Sequence, residues 1–373
     1  MKILILNWRD LKHPKAGGAE IATHEHAKAW VQASHQVTQF SSSFPGAKKE
    51  ENINGVKIIR RGREFLTVHL LAFIYYLWKL RKQCDLIVDE FHGIPFFTPL
   101  YSRKKKLVFI HEVAKEVWFL NHLPRPMNWI VGGLGYLLEP LIFRLLYRKT
   151  PFITVSESTK KDLISWNIPP KNISVIHNGV RVVIPKPMPK KEKKPTIIFL
   201  GPLTRDKGIE AAIQAFAEIS KKVKSAQFWV VGKGDKKYSE KLKKKSEQLK
   251  LGGKICFFGY VEEKKKFELL ARAHVLINSS VREGWGLVVI ETAAMGTPIV
   301  GFDVPGLRDS IIHNKTGLIC QENNSHSLAS NVIKLLENKK KYTEIQKNAI
   351  LWSKNFSWDK AAKASLSLIE DLS

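Results

Sequence analysis

The chain has 373 residues, 44% of them apolar, and a formal net charge of +27. That length suits two ordinary domains, each burying its own core, and the apolar content is that of a soluble globular protein. The charge is spread over both halves, with 27 basic against 14 acidic residues in 1–185 and 34 against 20 in 186–373. Lysine supplies 47 of the 61 basic residues, and there is no zinc-finger, RRM or basic-helix pattern. Nucleic acid is therefore excluded as a partner, which leaves an anionic membrane surface or simply solvated lysine faces.

The opening run Met1–Asn7 is too short for a signal peptide and suits a buried first strand. Apolar segments at 2–7, 36–41, 56–60, 85–89, 107–110, 152–155 and 173–176 alternate with helical patterns, as in a doubly wound parallel sheet. Two longer apolar stretches interrupt this rhythm. The first, Phe65–Trp78, ends in Lys79-Leu80-Arg81-Lys82 and is shorter than a membrane-spanning helix needs. It reads as a helix packed on the sheet. The second, Val117–Lys149, mixes Trp118, Trp129, Tyr136 and Tyr147 with Arg125, Arg144 and Arg148, as interfacial segments do. It is expected to touch a membrane peripherally, and neither stretch predicts a transmembrane span.

The proline- and lysine-rich segment 185–195 cannot hold regular structure and reads as an interdomain linker. Strand–helix alternation then restarts, with strands at 196–200, 226–231, 255–258, 275–278 and 298–301. Cys84, Cys256 and Cys320 are few, odd in number and widely spaced. They are expected to be reduced core thiols of a cytosolic protein, with no metal-ligand cluster. The tail from Phe356 is a capped helix.

The most informative local pattern is Ser279-Ser280-Val281-Arg282-Glu283-Gly284-Trp285-Gly286-Leu287-Val288-Val289-Ile290-Glu291. A Gly-x-Gly turn before a helix brings backbone N–H groups to a phosphate. Glu291 is expected about two turns into that helix, on roughly the face of Glu283. One carboxylate would reach a sugar and the other a ribose.

This spacing resembles the Glu-x₇-Glu motif of retaining, family-4-type glycosyltransferases of group 1, with the GT-B fold. The resemblance extends in order through Gly17-Gly18-Ala19-Glu20, His111-Glu112, Val155-Ser156-Glu157-Ser158 and His177-Asn178-Gly179-Val180. It continues through Phe199-Leu200-Gly201, Lys207-Gly208, Val231-Gly232-Lys233-Gly234, Phe258-Gly259-Tyr260, Gly296-Thr297-Pro298 and Thr316-Gly317-Leu318. Together such short motifs are specific where each alone is weak.

What the resemblance implies is an α/β protein of two Rossmann-like doubly wound domains facing a central cleft. Residues 1–184 would form the acceptor-side domain, 185–195 the linker and 196–355 the donor-binding domain, with the helix 356–373 packing back on the first. His111 and Glu283 would act on the donor sugar. Gly17, Gly18, Arg205, Lys207 and the segment Gly284, Trp285, Gly286 and Leu287 would hold the diphosphate, Glu291 the ribose, and Tyr260 would lie near the base. No metal or other cofactor is expected. Pro202 departs from the family, which places an arginine there, and Arg205 is the nearest replacement. Arg181 and Asp309 are milder departures. His24, His26, His35 and His122 lack the placement of His111 and read as ordinary.

The expected function is retaining hexosyl transfer from a nucleotide-sugar donor to a lipid-linked saccharide or glycolipid, in cell-envelope glycan synthesis. The protein would be cytoplasmic, peripheral to the inner face of the membrane. The alternatives are a soluble acceptor, or a catalytically silent GT-B scaffold that binds a membrane or a partner.

Overall fold

The computed structural model describes residues 1–64, 66–91, 93–121 and 123–372. Phe65, at the head of the first apolar stretch, His122 and the last residue of the tail lie outside them. Two compact units are formed, Val180–Phe356 being one, and Met1–Gly179 with the chain from Ser357 on being the other.

The strands of the first unit, apart from the more exposed ones at the two edges of the sheet, are apolar runs buried on both faces, where β-branched and aliphatic side chains pack best. These are β1 (Lys2–Leu6), β2 (Gln36–Ser41), β3 (Glu50–Ile53), β4 (Val56–Arg60), β5 (Leu86–Phe91), β6 (Lys105–Ile110), β7 (Phe152–Thr154) and β8 (Ile173–Val175). Their order in the sheet is β3-β4-β2-β1-β5-β6-β7-β8. All neighbours run parallel except β3 and β4, which form an antiparallel hairpin. β3 was not expected: its sequence is Glu-Glu-Asn-Ile. Asn54 and Gly55 close its turn with positive φ, 52° and 87°, the pairing a two-residue hairpin demands.

The helices of this unit are α1 (Gly18–Gln32), α2 (Leu66–Tyr75, continuing as a π turn over Tyr76–Leu80), α3 (Thr98–Tyr101), α4 (Met127–Ile142, continuing as a π turn over Phe143–Tyr147) and α5 (Glu157–Ser165). α2 packs Val68, Ala72 and Tyr76 on the sheet, as the first apolar stretch should. It leaves Leu70, Ile74, Leu77 and Trp78 exposed, so only one of its sides is used. In the second stretch, Met127–Tyr147 is long and apolar enough to cross a membrane by length and composition. Its inward residues Phe143 and Tyr147 are nevertheless fully buried against the sheet.

The second unit holds the parallel strands β9 (Thr196–Leu200), β10 (Gln227–Val231), β11 (Ile255–Gly259), β12 (Val275–Asn278), β13 (Ile299–Gly301) and β14 (Gly317–Ile319), ordered β11-β10-β9-β12-β13-β14. β14 is only three residues long and gave no strand signal of its own. Helices α6 (Ile209–Lys222), α7 (Lys236–Gln248), α8 (Glu263–Arg272), α9 (Leu287–Ala294), α10 (Leu307–Ser310), α11 (Ser325–Glu337) and α12 (Lys339–Ser353) complete it, and α13 (Trp358–Asp371) belongs to the first unit. There the Ser365 hydroxyl meets His26 Nδ1 at 2.8 Å and accepts from Trp30 Nε1 at 3.1 Å, both on α1. Gly179 lets this tail pass: a Cβ at that position would stand 2.1 Å from the Trp358 nitrogen.

Two expectations change. Segment 185–195 has no helix or strand, but it is pinned to the second unit. Lys191 Nζ donates to the Ala273 carbonyl at 2.6 Å and to Thr297 Oγ1 at 2.5 Å. Cys84 and Cys320 are buried thiols, whereas Cys256 is exposed, because β11 is an edge strand and Cys256 points outward.

Candidate active site

Ligands of parallel sheets lie beyond the carboxyl ends of the strands, where the strand order reverses. In the second unit that point falls between β9 and β12, so the loops after these two strands define the place. They are stitched together through backbone. Val281 N donates to the Asp206 carbonyl at 2.7 Å, and Ser279 Oγ donates to the Gly208 carbonyl at 2.8 Å. Gly208 sits at φ 66°, and a Cβ there would stand 1.9 Å from the Ser279 oxygen. Only glycine allows both the conformation and the approach.

This seam brings Lys207 to Glu283, Nζ to Oε1 at 2.9 Å, and Ser280 Oγ donates to the same oxygen at 2.7 Å. The backbone of Glu283 is held by its N–H to the Pro305 carbonyl at 3.2 Å. Gly306, at φ 78°, lies so close that a Cβ would be 2.2 Å from the Glu283 oxygen. The Asp309 carboxylate accepts from Gly306 N at 3.3 Å, so aspartate serves at this position.

The helix α9 starts at Leu287, with Gly286 as its cap at φ 84°. Glu283 is therefore in the loop, and Glu291 lies just over one turn into α9 rather than two. The shared helical face expected for the two acids does not exist, because two glycines and a left-handed cap delay the helix. Glu291 instead pairs with Lys266 of α8, Nζ to Oε1 at 2.7 Å. Burial pushes the Glu291 carboxyl above the usual carboxylate range, and the Lys266 ammonium pulls it back. Trp285 points inward, its ring 4.9 Å from that of Phe356, so only its backbone is available to the turn. Arg205 is exposed, and its charge is felt by the Tyr238 hydroxyl on α7. Tyr260 follows β11 directly and is exposed, with Lys233 Nζ 5.6 Å over its ring.

In the first unit the strand order reverses between β1 and β5. There Glu90, fully buried, accepts hydrogen bonds from Asn7 Nδ2 and Thr23 Oγ1. His111, at the end of β6, has Nε2 4.0 Å from Glu90 Oε1 and its ring stacked on Phe109 at 4.6 Å. His26 packs edge-on to Phe109 at 5.3 Å, and burial, aided by the charge of His111, lowers it to about 4. It is a neutral packing histidine; His24 and His35 bond to Asn54 and to the chain's amino group. Gly17 and Gly18 are exposed at the start of α1, but Gly17 N–H already donates to Glu20 Oε2 at 2.7 Å. Among the described residues no group of three His, Cys, Asp or Glu side chains could hold a metal ion.

Lys266 and Glu90 escaped the sequence reading, and Ser280 and Lys233 stood in its motifs without a role of their own. Glu90 had a signal, since Asp89-Glu90 is an acidic pair ending an apolar strand. Lys266 had none, being one of three consecutive lysines.

Two Rossmann-like α/β units, each with its polar groups gathered at the switch point, define a glycosyltransferase of the GT-B fold. The description "Glycosyl transferases group 1" matches residues 181–352, and "Glycosyltransferase Family 4" matches residues 16–183. The chain belongs to these glycosyltransferases. An uncharacterised glycosyltransferase of Methanocaldococcus jannaschii is 26% identical, over 99% of this chain and 97% of its own. Sucrose-phosphate synthase from Thermosynechococcus elongatus shares the fold with a TM-score of 0.82 at 18% identity, covering 100% and 98% of the two chains. The HepE protein of Anabaena, in complex with UDP and glucose, does so with a TM-score of 0.74 at 16% identity over the whole of both.

Proposed function

We propose that the protein transfers a hexosyl group, with retention, from a nucleotide-diphosphate sugar to a lipid-linked saccharide or glycolipid at the inner face of a membrane. The donor half rests on the Lys207–Glu283 pair at the switch point of the second sheet. Both side chains are partly exposed, at 23% and 16%, and such a pair is worth no more than about 1 kcal/mol. A diphosphate offers Lys207 stronger, charge-assisted bonds and displaces the carboxylate. Glu283, still held by Ser280, is then free to accept from sugar hydroxyls.

Arg205 and the amides of Gly284 to Leu287 take the remaining phosphate charge, without a metal. Glu291 accepts from the ribose, and Tyr260 lies by the base. UDP is the first nucleotide to try, because the Anabaena protein of this fold is in complex with UDP and glucose. His111, Gly17 and Gly18 keep the donor-side roles that the family resemblance gives them.

In the transfer itself, the bond from the anomeric carbon to the phosphate oxygen breaks as the acceptor oxygen bonds on the same face. The acceptor proton goes to the departing phosphate, so the protein supplies positioning and charge stabilisation, with no second carboxylate as base.

Calorimetric titration of UDP, GDP and ADP, in EDTA, against wild type and Glu291→Ala tests the donor half. One nucleotide is expected to bind, and the substitution to weaken it about tenfold or more. A folded protein that binds none of the three would refute the reading in favour of a silent scaffold. Transfer to a soluble sugar phosphate, with none to a lipid-linked acceptor, would refute the acceptor half.

The Lys266–Glu291 pair adds a pH signature. Lys266→Met removes the one influence that lowers the Glu291 carboxyl; burial and the charge of Glu263 both raise it. The variant's Glu291 therefore takes up its proton at a higher pH. Its nucleotide affinity should begin to fall, on acidification, at a higher pH than that of wild type. Calorimetry over a series of pH values decides it: parallel profiles would mean that Lys266 does not hold the ribose acid ionised.

A further inference from the structure

α2, α3 and α4 form one layer on one face of the first unit's sheet. Inward, Tyr76 of α2 packs near Ile87, and Phe143 and Tyr147 of α4 pack on Phe91. Ile87, Asp89 and Phe91 alternate along β5 and so point to the same side. Asp89 joins the helices, accepting from Thr98 Oγ1 of α3 at 2.8 Å and from Tyr147 OH of α4 at 2.7 Å. Tyr101 of α3 meets the Phe73 ring of α2 at 5.0 Å.

The outward side of this layer is apolar. Trp78 is 89% exposed, Leu100 66%, Leu137 64% and Leu145 74%, with Leu70 and Trp129 also open. Exposed apolar patches spanning several elements mark interaction surfaces.

Its charge is one-sided. Segments 66–82, 98–106 and 123–150 hold eleven Lys and Arg residues and a single acid, Glu139. Glu139 is buried and accepts from Ala114 N, Lys115 N and Trp118 Nε1 at 2.8, 3.1 and 3.0 Å. Many of the basic residues, among them Lys79, Arg81, Lys82, Arg103, Arg148 and Lys149, cluster where the helices turn back into β5, β6 and β7. An apolar face bordered by a mainly basic rim, in which the exposed Asp85 is outnumbered, is complementary to acyl chains beneath anionic headgroups. A second copy would instead bring two basic rims together.

We propose that this three-helix layer docks on an anionic lipid bilayer, with α4 lying in the plane of the interface. α4 cannot span, because Phe143, Tyr147 and Glu139 commit its inner side to the protein core. The proposal rests on the membrane part of the proposed function and not on its chemistry.

Co-sedimentation with phosphatidylcholine vesicles, with and without phosphatidylglycerol, tests it on the full chain. Wild type is expected to sediment with the anionic vesicles, to remain soluble with the neutral ones, and to be partly released by salt. Leu137→Glu with Leu145→Glu should cut binding about tenfold or more, and Lys79→Glu with Arg81→Glu should abolish the anionic preference. Both variants should keep the wild-type circular dichroism and nucleotide affinity, which separates lost docking from misfolding. Wild type left in the supernatant with anionic vesicles, or a Leu137→Glu, Leu145→Glu variant that sediments as wild type does, would overturn the proposal. So would light scattering that shows a vesicle-free dimer dissolved by those substitutions. Vesicle binding without transfer to a lipid acceptor would refute the acceptor assignment and leave the docking surface standing.

Discussion

Glu283→Gln is expected to lower kcat by about 10²–10³-fold while nucleotide affinity stays within about threefold of wild type. Glutamine keeps the size of the side chain and can still accept from Ser280. It cannot carry the negative charge that, in the proposed function, faces the developing positive charge at the anomeric carbon. Nucleotide affinity should hold or rise slightly, because Lys207 no longer has to leave an ion partner before it meets phosphate. Steady-state kinetics beside UDP calorimetry separates the two effects. A variant that loses nucleotide binding but turns over normally would reverse the assignment, placing Glu283 on the nucleotide and away from the reacting carbon.

Gly208→Ala should destabilise the second unit by about 3 kcal/mol and abolish nucleotide binding. Two costs combine: a left-handed φ of 66°, and a Cβ placed 1.9 Å from the Ser279 oxygen. The neighbour is backbone, so no rotamer change relieves the clash. The loops after β9 and β12 must part, and Lys207 moves away from Glu283. Gly252→Ala is the control, since nothing lies within 4 Å of a Cβ there, and it should shift stability by under about 0.5 kcal/mol. Urea unfolding of both variants, followed beside nucleotide titration, reads the difference. Equal midpoints would show that the seam is not rigid.

The two-fold strand–helix rhythm was legible because buried parallel strands are short, continuous apolar runs between turn residues. β3 was missed although Asn54-Gly55 is a strong hairpin signal; the polar Glu50-Glu51-Asn52 before it masked the strand. β14 was missed because three residues carry no period. The helix start at Leu287 was set too early, since the reach of a glycine pair depends on how Gly286 is packed against Val289 and Ser310.

By itself the sequence determined two α/β units, the glycosyltransferase family and the chemical groups of the Glu283–Glu291 segment. Those features are local: a strand, a glycine turn and an acid a fixed distance along the chain. Only the tertiary structure decided which charges meet. Lys207 and Glu283 are 76 residues apart, and no run of lysines announces that Lys266 is the one that meets Glu291. It also decided which side of α2 and α4 stays outside. Both helices are apolar on nearly every side, so periodicity names no inner face. The choice is made by what the sheet offers to pack against, and the sheet is assembled from strands scattered along the first half of the chain.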